Sequence, residues 1–397
     1  MLSSSKQPDD GGCTIGFDAT NLRRGGGVTH LIELLSAAEP EKYDITRVVV
    51  FGGRETLAKL PDRAWLEKIN PPDLDKGLLR RTFWQRFKLA GAGRAAGCDV
   101  LFAPGGSYSA NFHPVVTMSQ NLLPFEWAEL RRYGWSLLAL KLLLLRWVQS
   151  QTFRRVDGVI FLTEYARQVV LRVTGPLSAA TTIIPHGLNS RFKIGPRAQR
   201  PASEYSNAKP YRILYVSIID QYKHQWQVVE AVAALRQEGF PASLDLVGPA
   251  YPSALARLQE TLTRLDPDGS WVRYHGAIPF ESLHQYYADA DAGLFASSCE
   301  NLPNILLETM ASGLPIACSN RGPMPEVLGA GGVYFDPEDS EEIAYALQNL
   351  IQSPSLRAEL SERSYRQAQR YSWQRCADET FQFLAALAKK KKGSELE

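Results

Sequence analysis

The sequence predicts an α/β fold of two successive parallel-sheet domains facing each other across a cleft. Short apolar runs alternate with longer helical patterns almost throughout, as parallel sheets covered by helices require. The 397 residues suffice for two cores of ordinary size. The alternation is also interrupted once, by an aperiodic stretch rich in Pro, Ser and Arg at 191–210, which reads as a linker.

In chain order, the first series of strands is CTIGFD (13–18), ITRVVVF (45–51), DVLFA (99–103), VVTM (115–118), VDGVIFL (156–162) and TTIIP (181–185). Beyond the linker the second series is YRILYVS (211–217), ASLDLVG (242–248), WVRYHG (271–276), AGLFAS (292–297), LPIACS (314–319) and GVYF (332–335). These give a first domain over 1–200 and a second over 205–370, followed by a helical pattern from about 373 to 390. The apolar segment WSLLALKLLLLRWV (135–148) is too short and too interrupted by Lys141 and Arg146 to span roughly 30 Å of hydrocarbon. It is expected as a buried helix, with a helix lying in a membrane interface as the second reading.

Hydrophobic residues at 45% and charged residues at 22% describe a globular chain. The net charge of +2 hides an asymmetry: residues 1–200 hold 27 Lys and Arg against 17 Asp and Glu, the remainder 17 against 25. Such a basic first half suits a polyanionic or membrane-surface partner, or is asymmetry without function. Five scattered cysteines (Cys13, Cys98, Cys299, Cys318, Cys376) form no CxxC pair, which favours a reducing compartment over a disulfide framework. The opening MLSSSKQPDDGG lacks the apolar core of a signal peptide, and the Lys389–Lys392 run with GSELE reads as a solvated end.

The strongest chemical signal is SSCENLPNILLETMASGLPIACSNRGPMPEV (297–327). Pro303 suits the first turn of a helix, and Glu308 falls inside that helix eight positions after Glu300. A helix N-terminus offers backbone N–H groups to an anion, while a carboxylate can accept hydrogen bonds from sugar hydroxyls. On residues alone, a surface helix with a capping carboxylate fits equally well.

The length of the pattern decides between them. The pair of glutamates, the Glu308–Ile316 run, Pro325–Glu326–Val327 and GGVYFDPED (331–339) closely resemble the donor-site signature of glycosyltransferase family 4. That resemblance implies the GT-B fold of two Rossmann-like domains, with the last helix crossing back onto the first. It implies that Glu308 binds the ribose hydroxyls and Glu300 hydroxyls of the transferred sugar. Asn301, Leu302, Asn304 and Ile305 would hold sugar and diphosphate, although Pro303 stands where relatives commonly carry Gly. ILYVSIIDQYKHQ (213–225) resembles the family's phosphate-binding loop: Lys223 matches its Lys, Ile218 replaces its Arg and Ser217 its Gly. FDATNLRRGGGVTHLIELL (17–35) resembles its opening glycine loop, placing Gly26 and Gly27 near the donor. Gln120, with Asn121, occupies the place of its His-Asp loop, and neither can act as a base near neutral pH. His186 and Asn189 replace the Asn and Asp of the turn before the linker and are read as structural. The base is expected near His275–Phe280, with Ile278 among its contacts.

Other patterns are set aside. GAGRAAG (91–97) follows a helix and precedes a strand, the reverse of a dinucleotide fingerprint. Asp289 and Asp291 end a helix and are read as structural, and the six His show no metal-ligand spacing. The resemblance thus implies a retaining hexosyltransferase with Glu300 and Lys223 at its centre, and no metal or other cofactor is expected. Its donor is a nucleotide-sugar, a GDP-sugar carrying mannose or rhamnose being favoured over a UDP-sugar. Its acceptor is a glycan or lipid-linked hydroxyl in surface-polysaccharide synthesis, reached from the cytoplasm, with peripheral contact at the inner membrane face and no nucleic-acid partner. A silent nucleotide-sugar-binding protein, or an epimerase or hydrolase on the same fold, is the alternative.

Overall fold

The computed structural model describes residues 12–394 except 24, so the readings of the first eleven residues and of the last three lie outside it. Among the described residues, thirteen strands form two all-parallel sheets. The first holds β1 (Cys13–Ala19), β2 (Ile45–Gly52), β3 (Leu66–Ile69), β4 (Val100–Ala103), β5 (Val115–Met118), β6 (Gly158–Phe161) and β7 (Ala180–Ile183), ordered β3-β2-β1-β4-β5-β6-β7. The second holds β8 (Tyr211–Val216), β9 (Ala242–Val247), β10 (Val272–Tyr274), β11 (Ala292–Phe295), β12 (Ile316–Ser319) and β13 (Gly332–Phe335), ordered β10-β9-β8-β11-β12-β13.

Central strands are apolar on both faces because helices cover both; every residue of β1, β4, β5 and β6 is buried. Such runs are what the sequence displays most clearly. The strand the sequence does not display is β3, Leu-Glu-Lys-Ile, which is half-exposed at the sheet edge and has no apolar run. Strand order reverses direction beside β1 in the first sheet and beside β8 in the second. At those switch points the loops beyond the strands' carboxyl ends open a crevice, where ligands of doubly wound sheets bind. The loops after β1, β5, β8 and β11 all reach it.

The linker region is firmly tied down. The fully buried Arg357 donates to the carbonyls of Ile351 (2.7 Å) and Arg200 and to Gln199 Oε1 (3.1 Å), so 199–200 are fastened to the second domain. Asp291 joins the same region through Arg200 (2.5 Å) and accepts from the backbone N–H of Arg212 (3.0 Å), a structural role. The final helix, Trp373–Ser394, lies on the first domain, where Phe381 meets Phe17 on β1.

The segment 135–148 is not a buried helix. It forms the first part of the Leu137–Arg155 helix, capped by Ser136 Oγ, which accepts from Ala139 N (3.1 Å). Only Ala139 and Leu142 of that part are buried; Trp135, Leu137, Leu140, Leu144 and Trp147 stand in solvent. The sheet is covered by the helix's later turns, through Gln149, Ser150, Thr152 and Phe153, and the apolar beginning extends past it. No helix of the described residues is long and apolar enough to cross a membrane.

Candidate active site

The helix expected at 303 runs over Asn304–Ala311, with Pro303 immediately ahead of its first turn. Glu308 therefore sits one turn inside it, and Glu300 lies in the loop that follows β11. The two carboxylates serve adjoining cavities. One, of about 280 Å³, is lined by Glu300, Asn301, Leu302, Gln120 and Gly27. The other, of about 330 Å³, is lined by Glu308, Ile305, Phe280, His30 and Glu33. Gly26, His186 and Asn304 border both. Lys223, Ser217 and Ile278 are not brought to either wall: Lys223 is buried behind Glu300, the Ser217 hydroxyl donates to Ile218 O (2.9 Å), and Ile278 packs against the hydrophobic core.

Each acidic side chain has its own electrostatic setting. Glu300 is ion-paired with Lys223, whose ammonium also lies 4.9 Å from the Tyr222 ring centroid and 5.5 Å from that of Phe295. Glu308 is almost wholly buried and receives the Tyr287 hydroxyl at 3.2 Å. Burial pushes its pKa up to about 8, against smaller opposing contributions from Tyr287 and Arg191. Arg191 itself lies over the Phe280 ring, 4.8 Å from its centroid.

Side-chain contacts also join the two domains. Asn301, which lines the first cavity, donates its side-chain amide to Ser119 O (2.7 Å), while its own carbonyl accepts from Thr163 Oγ1 (2.9 Å). Glu326 accepts from the backbone N–H groups of Glu164 (2.8 Å) and Tyr165 (2.9 Å), at the N-terminus of the first domain's Glu164–Thr174 helix. Arg132 bridges Glu129 and Glu338 (2.6 Å), and the Tyr133 hydroxyl donates to Asp220 (3.0 Å).

Sequence reasoning missed the aromatic stack beneath the second cavity. His30 lies over His186 (4.7 Å between centroids), and His186 stacks on Trp373 (5.7 Å). Both imidazoles are buried, which holds them neutral: His30 falls well below the usual histidine value, lowered further by His186, and His186 falls to about 4. Gly187 permits the stack, since a Cβ there would lie 2.1 Å from Trp373 N. A histidine on an apolar helix face carries no sign of partners 156 and 343 positions away.

Two Rossmann-like domains facing across a crevice whose ends carry these carboxylates define the GT-B architecture of glycosyltransferases. Residues 24–192 match the family described as "Glycosyltransferase Family 4", and residues 210–353 match "Glycosyl transferases group 1". The chain belongs to the family 4 glycosyltransferases and resembles their mannosyltransferases. The "O-antigen chain mannosyltransferase B" of Escherichia coli is 25% identical over 250 residues, 59% of this chain and 63% of that protein. A "GDP-mannose-dependent alpha-(1-6)-phosphatidylinositol monomannoside mannosyltransferase" of Mycolicibacterium smegmatis is 28% identical over 237 residues, 56% of this chain and 59% of that one. The chain thus spans about three fifths of the length of these curated relatives. Among solved structures, Anabaena Alr3699/HepE in complex with UDP aligns with a TM-score of 0.67 at 17% identity, over 94% of this chain and all of that one. WaaG, a glycosyltransferase involved in lipopolysaccharide biosynthesis, aligns at 0.67 and 16%, over 93% and 99%. At these identities the likeness is one of fold.

Proposed function

We propose that the chain transfers a hexosyl group, with retention, from a nucleotide-sugar to a hydroxyl of a glycan or lipid-linked acceptor. The observation that carries this reading is the placement of Glu300 and Glu308 in adjoining cavities, on either side of the Asn304–Ala311 helix N-terminus. A nucleoside in the Glu308 cavity, its diphosphate passing Asn304 and Gly26, would leave the sugar beside Glu300 and Gln120. Lys223 and the helix N-terminus would then stabilise charge growing on the leaving diphosphate. The diphosphate oxygen takes the acceptor's proton on the face it leaves, so neither glutamate serves as a general base. Lys223 supplies the positive charge that a divalent cation would otherwise bring, so catalysis is expected to need no metal or other cofactor.

A GDP-sugar, with mannose foremost, is favoured by the two mannosyltransferase relatives, one named as GDP-mannose-dependent. A UDP-sugar is the second reading, suggested by the UDP held by Alr3699/HepE. The reaction is placed in the cytoplasm at the inner membrane face, in surface-polysaccharide synthesis. A thermal-shift screen of GDP, UDP, ADP and TDP selects the nucleotide, and NMR of the product gives its anomeric configuration. Inversion would refute the mechanism. Full activity in EDTA is expected; restoration of lost activity by a divalent ion would refute metal independence.

A further inference from the structure

An exposed apolar surface that lines neither cavity is carried by two helices of the first domain. The Leu137–Arg155 helix presents Leu137, Leu140, Leu144 and Trp147 at positions i, i+3, i+7 and i+10, one stripe of a helix, with Trp135 wholly exposed just before it. The Leu78–Phe87 helix presents Leu78, Leu79, Phe83 and Phe87, with Leu137 and Leu79 each 87% exposed. The two helices flank one loop. Gln85 and Arg86 donate to the carbonyls of Ser107 (3.4 Å) and Ser109 (2.8 Å), while Thr152 Oγ1 accepts from Tyr108 N (3.1 Å). Trp84 and Phe153 enter the same hydrophobic cluster. Both helices therefore belong to one side of the first domain.

The charges carried by the two segments themselves are of a single sign, although acidic residues flank both. Residues 76–98 contain six Lys and Arg and no Asp or Glu, and residues 130–156 repeat that composition. Some of these cations are engaged, Lys88 with Asp73 and Arg132 with Glu129 and Glu338. Arg80, Arg131 and Lys141 stand exposed among the apolar side chains. A protein partner would require shape complementarity, whereas these are convex helices carrying scattered Leu, Phe and Trp. A fluid hydrocarbon boundary accepts such side chains in any arrangement, Trp favours the interfacial depth, and Lys and Arg reach back to headgroup phosphates.

We propose that this two-helix face docks on an anionic lipid bilayer, holding the first domain at the surface from which the acceptor is drawn. The proposal names the partner implied by the lipid-linked reading of the acceptor and rests on that reading for its purpose, but its test is independent of it. The full chain is mixed with vesicles of phosphatidylcholine alone or with phosphatidylglycerol, and bound protein is separated by flotation. Binding is expected on the mixed vesicles, weakened by salt because part of the attraction is electrostatic. The double variant Leu140→Glu, Trp147→Glu should bind about tenfold less tightly or worse. Charge reversal at two exposed positions, Arg80→Glu with Lys141→Glu, should do the same without touching the apolar stripe. Nucleotide-induced thermal stabilisation, unchanged in both variants, shows that they fold and keep the donor site. Absent binding, equal binding to both vesicle types, or variants that bind like the parent would overturn the proposal. Loss of nucleotide stabilisation in the parent would instead overturn the donor-site reading and leave the vesicle result standing.

Discussion

Glu308 carries the clearest single-residue consequence. Its pKa of about 8 leaves the carboxyl largely protonated at neutral pH, because burial outweighs the opposing effects of the Tyr287 hydroxyl and Arg191. Ribose hydroxyls donating to it favour the ionised form, so nucleotide-sugar binding releases a proton below that pKa. Affinity should therefore rise with pH from neutrality to about 8 and level off above it. Calorimetry in buffers of different ionisation enthalpy reads the proton directly. Glu308→Gln should abolish the pH slope and weaken binding about tenfold to a hundredfold, the loss expected for hydrogen bonds to a charged group. A slope surviving in the variant would place the titrating group elsewhere. The spacing of Glu300 and Glu308 was legible in the sequence because both lie on one short stretch. The ion pair of Glu300 with Lys223 was not, since it joins loops after two different strands, nor was the turning of Asn301 towards Ser119.

At the scale of elements, the interdomain contact made by Glu326 is the most informative. An exposed carboxylate of the second domain receives two N–H groups at the start of the Glu164–Thr174 helix of the first, where helix dipole and unpaired donors reinforce each other. Thr163 caps the same helix through Ala166 N (3.1 Å) and also reaches Asn301 O (2.9 Å). Loosening this seam should open the crevice without altering either domain's core. Glu326→Ala is expected to lower turnover about fivefold while leaving nucleotide affinity nearly unchanged, given roughly 1 kcal/mol for a charge at a helix terminus. X-ray scattering should show a larger radius of gyration for the variant with nucleotide bound; an identical radius and rate would assign the contact no part in closure. Elements differ in how far sequence reveals them. The central strands were apolar runs because parallel sheets bury both faces there, and the half-exposed Leu-Glu-Lys-Ile of β3 left no such mark. The 135–148 segment showed apolarity without direction: composition gives the tendency to leave water, not whether protein or another phase receives it.

At the scale of the whole molecule, the first domain and the returning final helix meet along a stack whose members come from three distant passes of the chain. His30 belongs to the opening helix, His186 to the turn before the linker and Trp373 to the return crossing. Both imidazoles are neutral in the folded protein, and protonating one opposes protonating the other. Their folded pKa values lie below the ordinary 6.5, so the unfolded chain takes up protons first as pH falls. The stability these groups contribute is complete above pH 6.5 and is lost as pH drops towards about 4, by about 1.4 kcal/mol per pH unit for each group. Asp18, Asp220 and Glu308 pull the other way, because burial raises them and the native state keeps their protons longer. The total acid response therefore mixes opposing contributions, and a comparison isolates the stack. His186→Asn removes one proton uptake and eases that of His30, while every carboxylate remains. Unfolding free energies in urea should show the parent losing stability faster than the variant between pH 6.5 and 4, with parallel curves above 7. Curves parallel throughout would mean that the imidazoles keep their ordinary affinity for protons, and that the stack does not stay buried in solution.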